Sequence, residues 1–105
     1  MNKYQYPNEK FSSAVRSLAL STESLQNRIA DAYQYHINHI KEHEMPEEIR
    51  EKFELLRRRL TSIAPIGDES SAFASVRDMT IEEATSFIDD IIYMAQVIRK
   101  EFHHG

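Results

Sequence analysis

The sequence predicts an all-α protein: a small antiparallel helical bundle of three to four main helices, with a short extra helix in the 64–79 connection. Three observations carry this. Apolar residues recur at steps of three and four along most of the chain, the mark of helix faces packed on a core. Helix-start residues and prolines punctuate those stripes where helices begin and end. Strand signals are missing, because no stretch alternates apolar and polar residues and no hairpin dipeptide occurs.

Taken in order, residues 1–7 form an irregular arm ending at Pro7, followed by one helical domain over 8–105. Asn8 is the expected N-cap of the first helix, with Phe11, Val15 and Leu18 on its inner face. Ser21-Thr22-Glu23-Ser24 contains Ser and Thr followed by Glu, a pattern that opens helices. It favours two helices, about 8–20 and 22–44, over one long one. The next helix is sharply marked. Pro46 suits a first helical position, Glu47 and Glu48 suit the positive end of the dipole, and Arg57-Arg58-Arg59 suit the negative end. Its stripe is Ile49, Phe53, Leu56, Leu60 and Ile63, and Pro65 stops it.

The segment 64–79 exceeds a plain connection in so small a chain, and Asp68 is its expected cap for a short helix through Ala72, Phe73 and Val76. The last helix opens on Thr80-Ile81-Glu82-Glu83, a T-x-x-E capping box. Its stripe of Ile81, Ala84, Ile88, Ile91, Ala95, Ile98 and Phe102 is widened by Phe87, Ile92, Tyr93, Met94 and Val97. Arg99, Lys100, His103 and His104 complement the dipole at its end.

Composition removes several function classes. At 105 residues, 41% apolar and 29% charged, the chain reads as one globular unit. No run approaches the ~18 apolar residues of a membrane span. The opening residues carry no apolar leader, so a cytoplasmic location is expected. Zero cysteines exclude disulfides and thiolate chemistry. With only Gly67 and Gly105, no Gly-rich phosphate loop can form. A net charge of −4 disfavours nucleic acid.

The sharpest chemical motif is His39-Ile40-Lys41-Glu42-His43, an H-x-x-E-H pattern that on a helix would set two zinc ligands and a base on one face. His36 adds a fourth candidate. The motif lacks a third protein ligand and a cleft, and the blander reading makes His36 a core or interface histidine. Glu82 with Asp89, and Glu83 with Asp90, align seven residues apart, yet a di-metal centre needs Glu-x-x-His motifs on two helices. Glu101-Phe102-His103-His104 is the lone match. The three arginines fan around their helix among Glu47, Glu48, Glu51 and Glu54, which reads as a solvated, charge-balanced face.

No catalytic residue, cofactor or resident metal is therefore assigned. The expected function is a protein–protein interaction or regulatory module that is not an enzyme and self-associates as a homodimer. Its contact candidates are Phe73 and Arg77 in the long connection, and Ile92, Met94 and Phe102 on the last helix. The alternatives are a metal-binding or hydrolytic protein using His36, His39, Glu42 and His43, and an antitoxin or immunity-type protein masking a basic partner. The pattern around Ala32-Tyr33, Met45-Pro46-Glu47-Glu48 and the final capping box resembles that of small bacterial proteins and implies no chemistry.

Overall fold

A computed structural model describes residues 2–104; Met1 and Gly105, the outer limits of the expected arm and domain, lie outside the described residues. Among those residues the chain is all-helical, with five α-helices and no strand. They are α1 (Gln5–Leu20), α2 (Leu25–Ala32), α3 (Arg50–Leu60), α4 (Ser71–Val76) and α5 (Ile81–His104).

The first helix starts at Gln5, three residues before the expected Asn8, so the irregular arm is shorter than residues 1–7. Pro7 does not prevent this. It occupies the first turn, where backbone N–H groups have no helical acceptor anyway. Asn2 anchors the start: its Oδ1 accepts from the Tyr4 N–H at 2.8 Å, and its amide donates to the Phe102 carbonyl at 2.7 Å. The beginning of α1 is thereby tied to the end of α5, and the two run antiparallel.

The break after Leu20 is present. Ser21 is extended, and the Ser24 hydroxyl accepts from the Asn27 N–H at 3.1 Å to cap α2. The second helix does not reach residue 44. After Ala32 it widens into a π-turn over Tyr33–Ile37, closed by the Asn38 N–H on the Tyr33 carbonyl at 2.8 Å. The chain then leaves the helix. Short 3-10 turns follow at Glu42–Glu44 and Glu47–Ile49. Burial explains the departure: Ile37, Ile40 and Met45 are all fully buried, which a straight helix ending in His39-Ile40-Lys41-Glu42-His43-Glu44 would not allow for both Ile40 and Met45. Arg57, reaching from α3, donates to the Ile40 carbonyl and replaces the lost helical partner.

Within α2, Asp31 has its carboxyl pKa raised, first by burial and second by the nearby Glu23 carboxylate. The folded state thus holds this proton more tightly than the unfolded chain. The cost of ionised Asp31 is complete at neutral pH and vanishes below the ordinary value of 3.8, where both states are protonated. Asp31→Asn is expected to raise the thermal midpoint at pH 7 and to leave it unchanged at pH 3. A gain that persists undiminished at pH 3 would disprove the electrostatic origin.

Pro46 precedes the 3-10 turn that leads into α3, and Phe53, Leu56 and Leu60 are buried along α3. The helix ends four residues earlier than Pro65 suggested. The Thr61 hydroxyl takes the Arg57 carbonyl at 2.8 Å and the Ser62 hydroxyl takes that of Arg59 at 2.8 Å. Ile63 falls outside the helix and is 41% exposed, so it does not extend the stripe. In the following connection Gly67 adopts a left-handed conformation, φ 66°, suited to a residue without Cβ. Ser70, rather than Asp68, caps α4 by accepting from the Phe73 N–H at 3.2 Å.

Thr80 caps α5 as expected, accepting from the Glu83 N–H at 3.0 Å. The buried face of α5 is Ala84, Ile91, Met94, Val97 and Ile98. This is rotated from the expected stripe: Ile88, Ala95 and Phe102 are half-buried, and Ile81 is 65% exposed. The buried side chains of α1 to α5 and of the 33–49 stretch form one cluster, in which the Phe11 and Phe53 rings meet at 6.4 Å. Its long axis of 41 Å reflects α5, whose 24 residues span about 36 Å at helical rise.

Candidate interaction surface

The histidine motif is dispersed. His39 lies in a turn, Ile40 and Lys41 are outside any helix, and Glu42 and His43 belong to a 3-10 turn. The helical face that would have paired His39 with His43 does not exist, so the i, i+4 geometry is lost. His36 is half-buried, whereas His39, Glu42 and His43 are exposed. Among the described residues no group of three or more His, Asp or Glu side chains is gathered closely enough to hold a metal ion. Of the carboxylate pairs, Glu83 is bound to Arg59 and Asp90 to Lys52 at 3.1 Å.

The arginine run is not a uniformly solvated face. Arg58 is exposed, but Arg57 and Arg59 fold inward. The Arg57 guanidinium lies 4.8 Å from the centre of the Phe53 ring. Beside it the Tyr33 phenol has its pKa raised, mainly by burial, while the cationic Arg57 pulls in the opposite direction. Arg59 donates to both Glu83 oxygens, at 3.2 and 3.3 Å, and to the Ser75 carbonyl. These side chains clamp α3 to α4 and α5, and they leave no basic platform for phosphate.

Phe73 and Arg77 line a cleft of about 410 Å³ between α4 and the start of α2, together with Gln26, Asn27 and Glu69. Arg77 is engaged by Glu69 there, and Gln26 is committed to the Met79 carbonyl at 2.9 Å. Its polar groups are largely paired with each other.

The outer side of α5 is different. Ile92 is 38% exposed and stands between two hollows. One, about 290 Å³, lies between α1 and α5 and is lined by Ser12, Val15, Ile92, Ala95, Gln96 and Arg99. The other, about 390 Å³, is lined by Glu82, Thr85, Ser86, Ile88, Asp89 and Ile92. Tyr93 turns away, its hydroxyl donating to Glu48 at 3.3 Å and its ring facing the Lys52 ammonium. Of the expected contact residues on α5, Ile92 is therefore central. Phe102 is half-buried at the far end against His103. Met94 is fully buried and belongs to the core instead. Ile81, read from the sequence as core, is exposed, whereas Val15 and Ile88 pack against the core as expected and also line the two hollows. A signal for this was available: Ile81, Ile88 and Ala95 repeat every seven residues, as do Ala84, Ile91 and Ile98. Two apolar rows thus run side by side on one helix.

The arrangement offers apolar area edged by charge, with Val15, Ile88, Ile92 and Ala95 set beside Glu82, Asp89 and Arg99. It defines a class, an all-α bundle carrying a partly exposed apolar seam along its longest helix. No helix among the described residues is long and apolar enough to cross a membrane. Comparison with known proteins finds no matching family model, no matching curated protein and no matching solved structure.

Proposed function

We propose that this protein is a non-catalytic protein–protein interaction module that self-associates through the α1–α5 seam. One observation carries the reading. The core is filled by the inner row of α5, yet a second apolar row, Ile81, Ile88, Ile92 and Ala95, faces outward or is only half covered. Contiguous apolar surface on a monomer is an association site more often than an accident. A second copy supplies the missing cover at no cost in new sequence, and closed two-fold dimers are the commonest such solution.

The test is mass in solution. Native protein is expected to run at twice its 12.3 kDa chain mass by size-exclusion chromatography with light scattering. Ile92→Arg is expected to run at the chain mass with unchanged helical circular dichroism. A native monomer at concentrations well above the micromolar range would remove the proposal.

A further inference from the structure

The outer row of α5 has a spacing more specific than general apolarity. Ile81, Thr85, Ile88, Ile92, Ala95 and Arg99 follow one another at steps of four, three, four, three and four. That is the a/d seam of a coiled coil. Beside it runs the inner row of Ala84, Phe87, Ile91, Met94 and Ile98, which repeats at the same steps and packs on the core. One helix therefore carries two seams: the fold fills the inner one and half covers the outer, where Ile88 and Ala95 touch the core along one side while Ile81 and Ile92 stay exposed.

Charge along the outer seam is polarised. Glu82 and Asp89 flank its first half, and Arg99 and Lys100 stand at its end. All four are exposed. Among the described residues none of the four has an ion-pair partner within the chain, although Lys52, Arg59 and Arg77 all do.

We infer that the occupant of the seam is a second copy of this chain, docked with its α5 antiparallel about a two-fold axis midway between Ile88 and Ile92. This rests on the self-association proposed above and adds its geometry. Orientation follows from charge. A parallel pair would set Glu82 beside Glu82 and Arg99 beside Arg99, which repel. An antiparallel pair brings opposite ends together, and each contact occurs twice by symmetry.

Register follows from size. With Ile92 opposite the partner's Ile88, the two central isoleucines of each chain cover one another. Thr85 then faces the partner's Ala95. Arg99 comes level with the partner's Ile81, one residue from Glu82, a rise of about 1.5 Å. A slip of one heptad would set Ile92 against the partner's Ala95 and bring Arg99 from the exposed end of the seam onto Ile88 at its middle, so it is disfavoured. Val15 on α1 borders the groove and widens the contact beyond two helices.

Because the chain contains no cysteine, cross-linking can read the geometry directly. Thr85→Cys and Ala95→Cys proteins are mixed under mild oxidation in otherwise native chains. The mixed disulfide is expected in about tenfold excess over either same-site species, since only Thr85 and Ala95 come within the ~7 Å Cα separation that a disulfide tolerates. Predominance of Thr85–Thr85 linkage would establish a parallel pair and overturn the inference. If native protein is dimeric by light scattering but no disulfide forms between these sites, self-association stands and this geometry falls. If native protein is monomeric, both fall. As a second reading, Arg99→Glu is expected to weaken dimerisation about tenfold, and Glu82→Arg in the same chain to restore it. Absence of that restoration would also overturn the antiparallel register.

Discussion

Phe53→Ala is expected to lower unfolding stability by about 3–5 kcal/mol, measured by urea denaturation at fixed protein concentration. Phe53 is fully buried at the centre of α3. Its ring meets Phe11 of α1 at 6.4 Å and a tilt of 54°, within the range of favourable edge-on aromatic contacts. The Arg57 guanidinium also lies against it, 4.8 Å from the ring centre. Truncation therefore does more than remove apolar area. It opens a void between α1 and α3, and it takes away the surface over which Arg57 is stretched to reach the Ile40 carbonyl. Small domains hold roughly 5–15 kcal/mol in total, so the variant should sit near the edge of folding. Phe53→Leu, which refills most of the void, should lose less than half as much. A loss below about 1 kcal/mol for the alanine variant would mean that α3 is not anchored as described.

Fixed concentration matters in that experiment because the proposed dimerisation would add to apparent stability by mass action. Ile92→Arg gives the separation needed: any stability lost through it should depend on concentration, whereas that lost through Phe53 should persist in the monomer.

What could be read from the sequence was what depends on neighbours along the chain. The break after Leu20, the buried run of Ile49, Phe53, Leu56 and Leu60, and the Thr80 cap all follow from local rules. Three misreadings share one cause, that the deciding partner was remote or ambiguous. The second helix was extended to residue 44 because nothing local reveals that Arg57 will satisfy the Ile40 carbonyl from seventeen residues away. That extension also produced the H-x-x-E-H face. The phase of α5 was misjudged because both of its rows are apolar. Periodicity marks a face without saying whether the core or a partner covers it, so Met94, expected as a contact residue, lies in the core, and Ile81, expected on the core stripe, is exposed. At Pro7 the rule was sound but misplaced, since a proline in the first turn costs no hydrogen bond.

The arginine run shows the same limit most clearly, and it supplies the second large effect. Arg59→Ala is expected to cost about 2 kcal/mol. Its guanidinium binds both Glu83 oxygens at 3.2 and 3.3 Å and also takes the Ser75 carbonyl, joining three helices through one side chain. Bonds to charged groups contribute about 1.5–3 kcal/mol each when sheltered. The pair is only partly sheltered, with Arg59 23% and Glu83 40% exposed, so the full sum is not expected. The Ser75 contact is the better protected part, because Ser75 is fully buried. Two comparisons separate these contributions. Glu83→Gln should cost about 1 kcal/mol or less, and the Arg59–Glu83 coupling in a double-mutant cycle should be of similar size and shrink in high salt. Arg59→Lys should recover little, because a single ammonium cannot serve a carboxylate fork and a carbonyl on another helix together. A lysine variant as stable as the native protein would show that charge alone holds α3 to α5. A coupling near zero would show that Glu83 serves only the start of α5 and that Arg59 acts through Ser75.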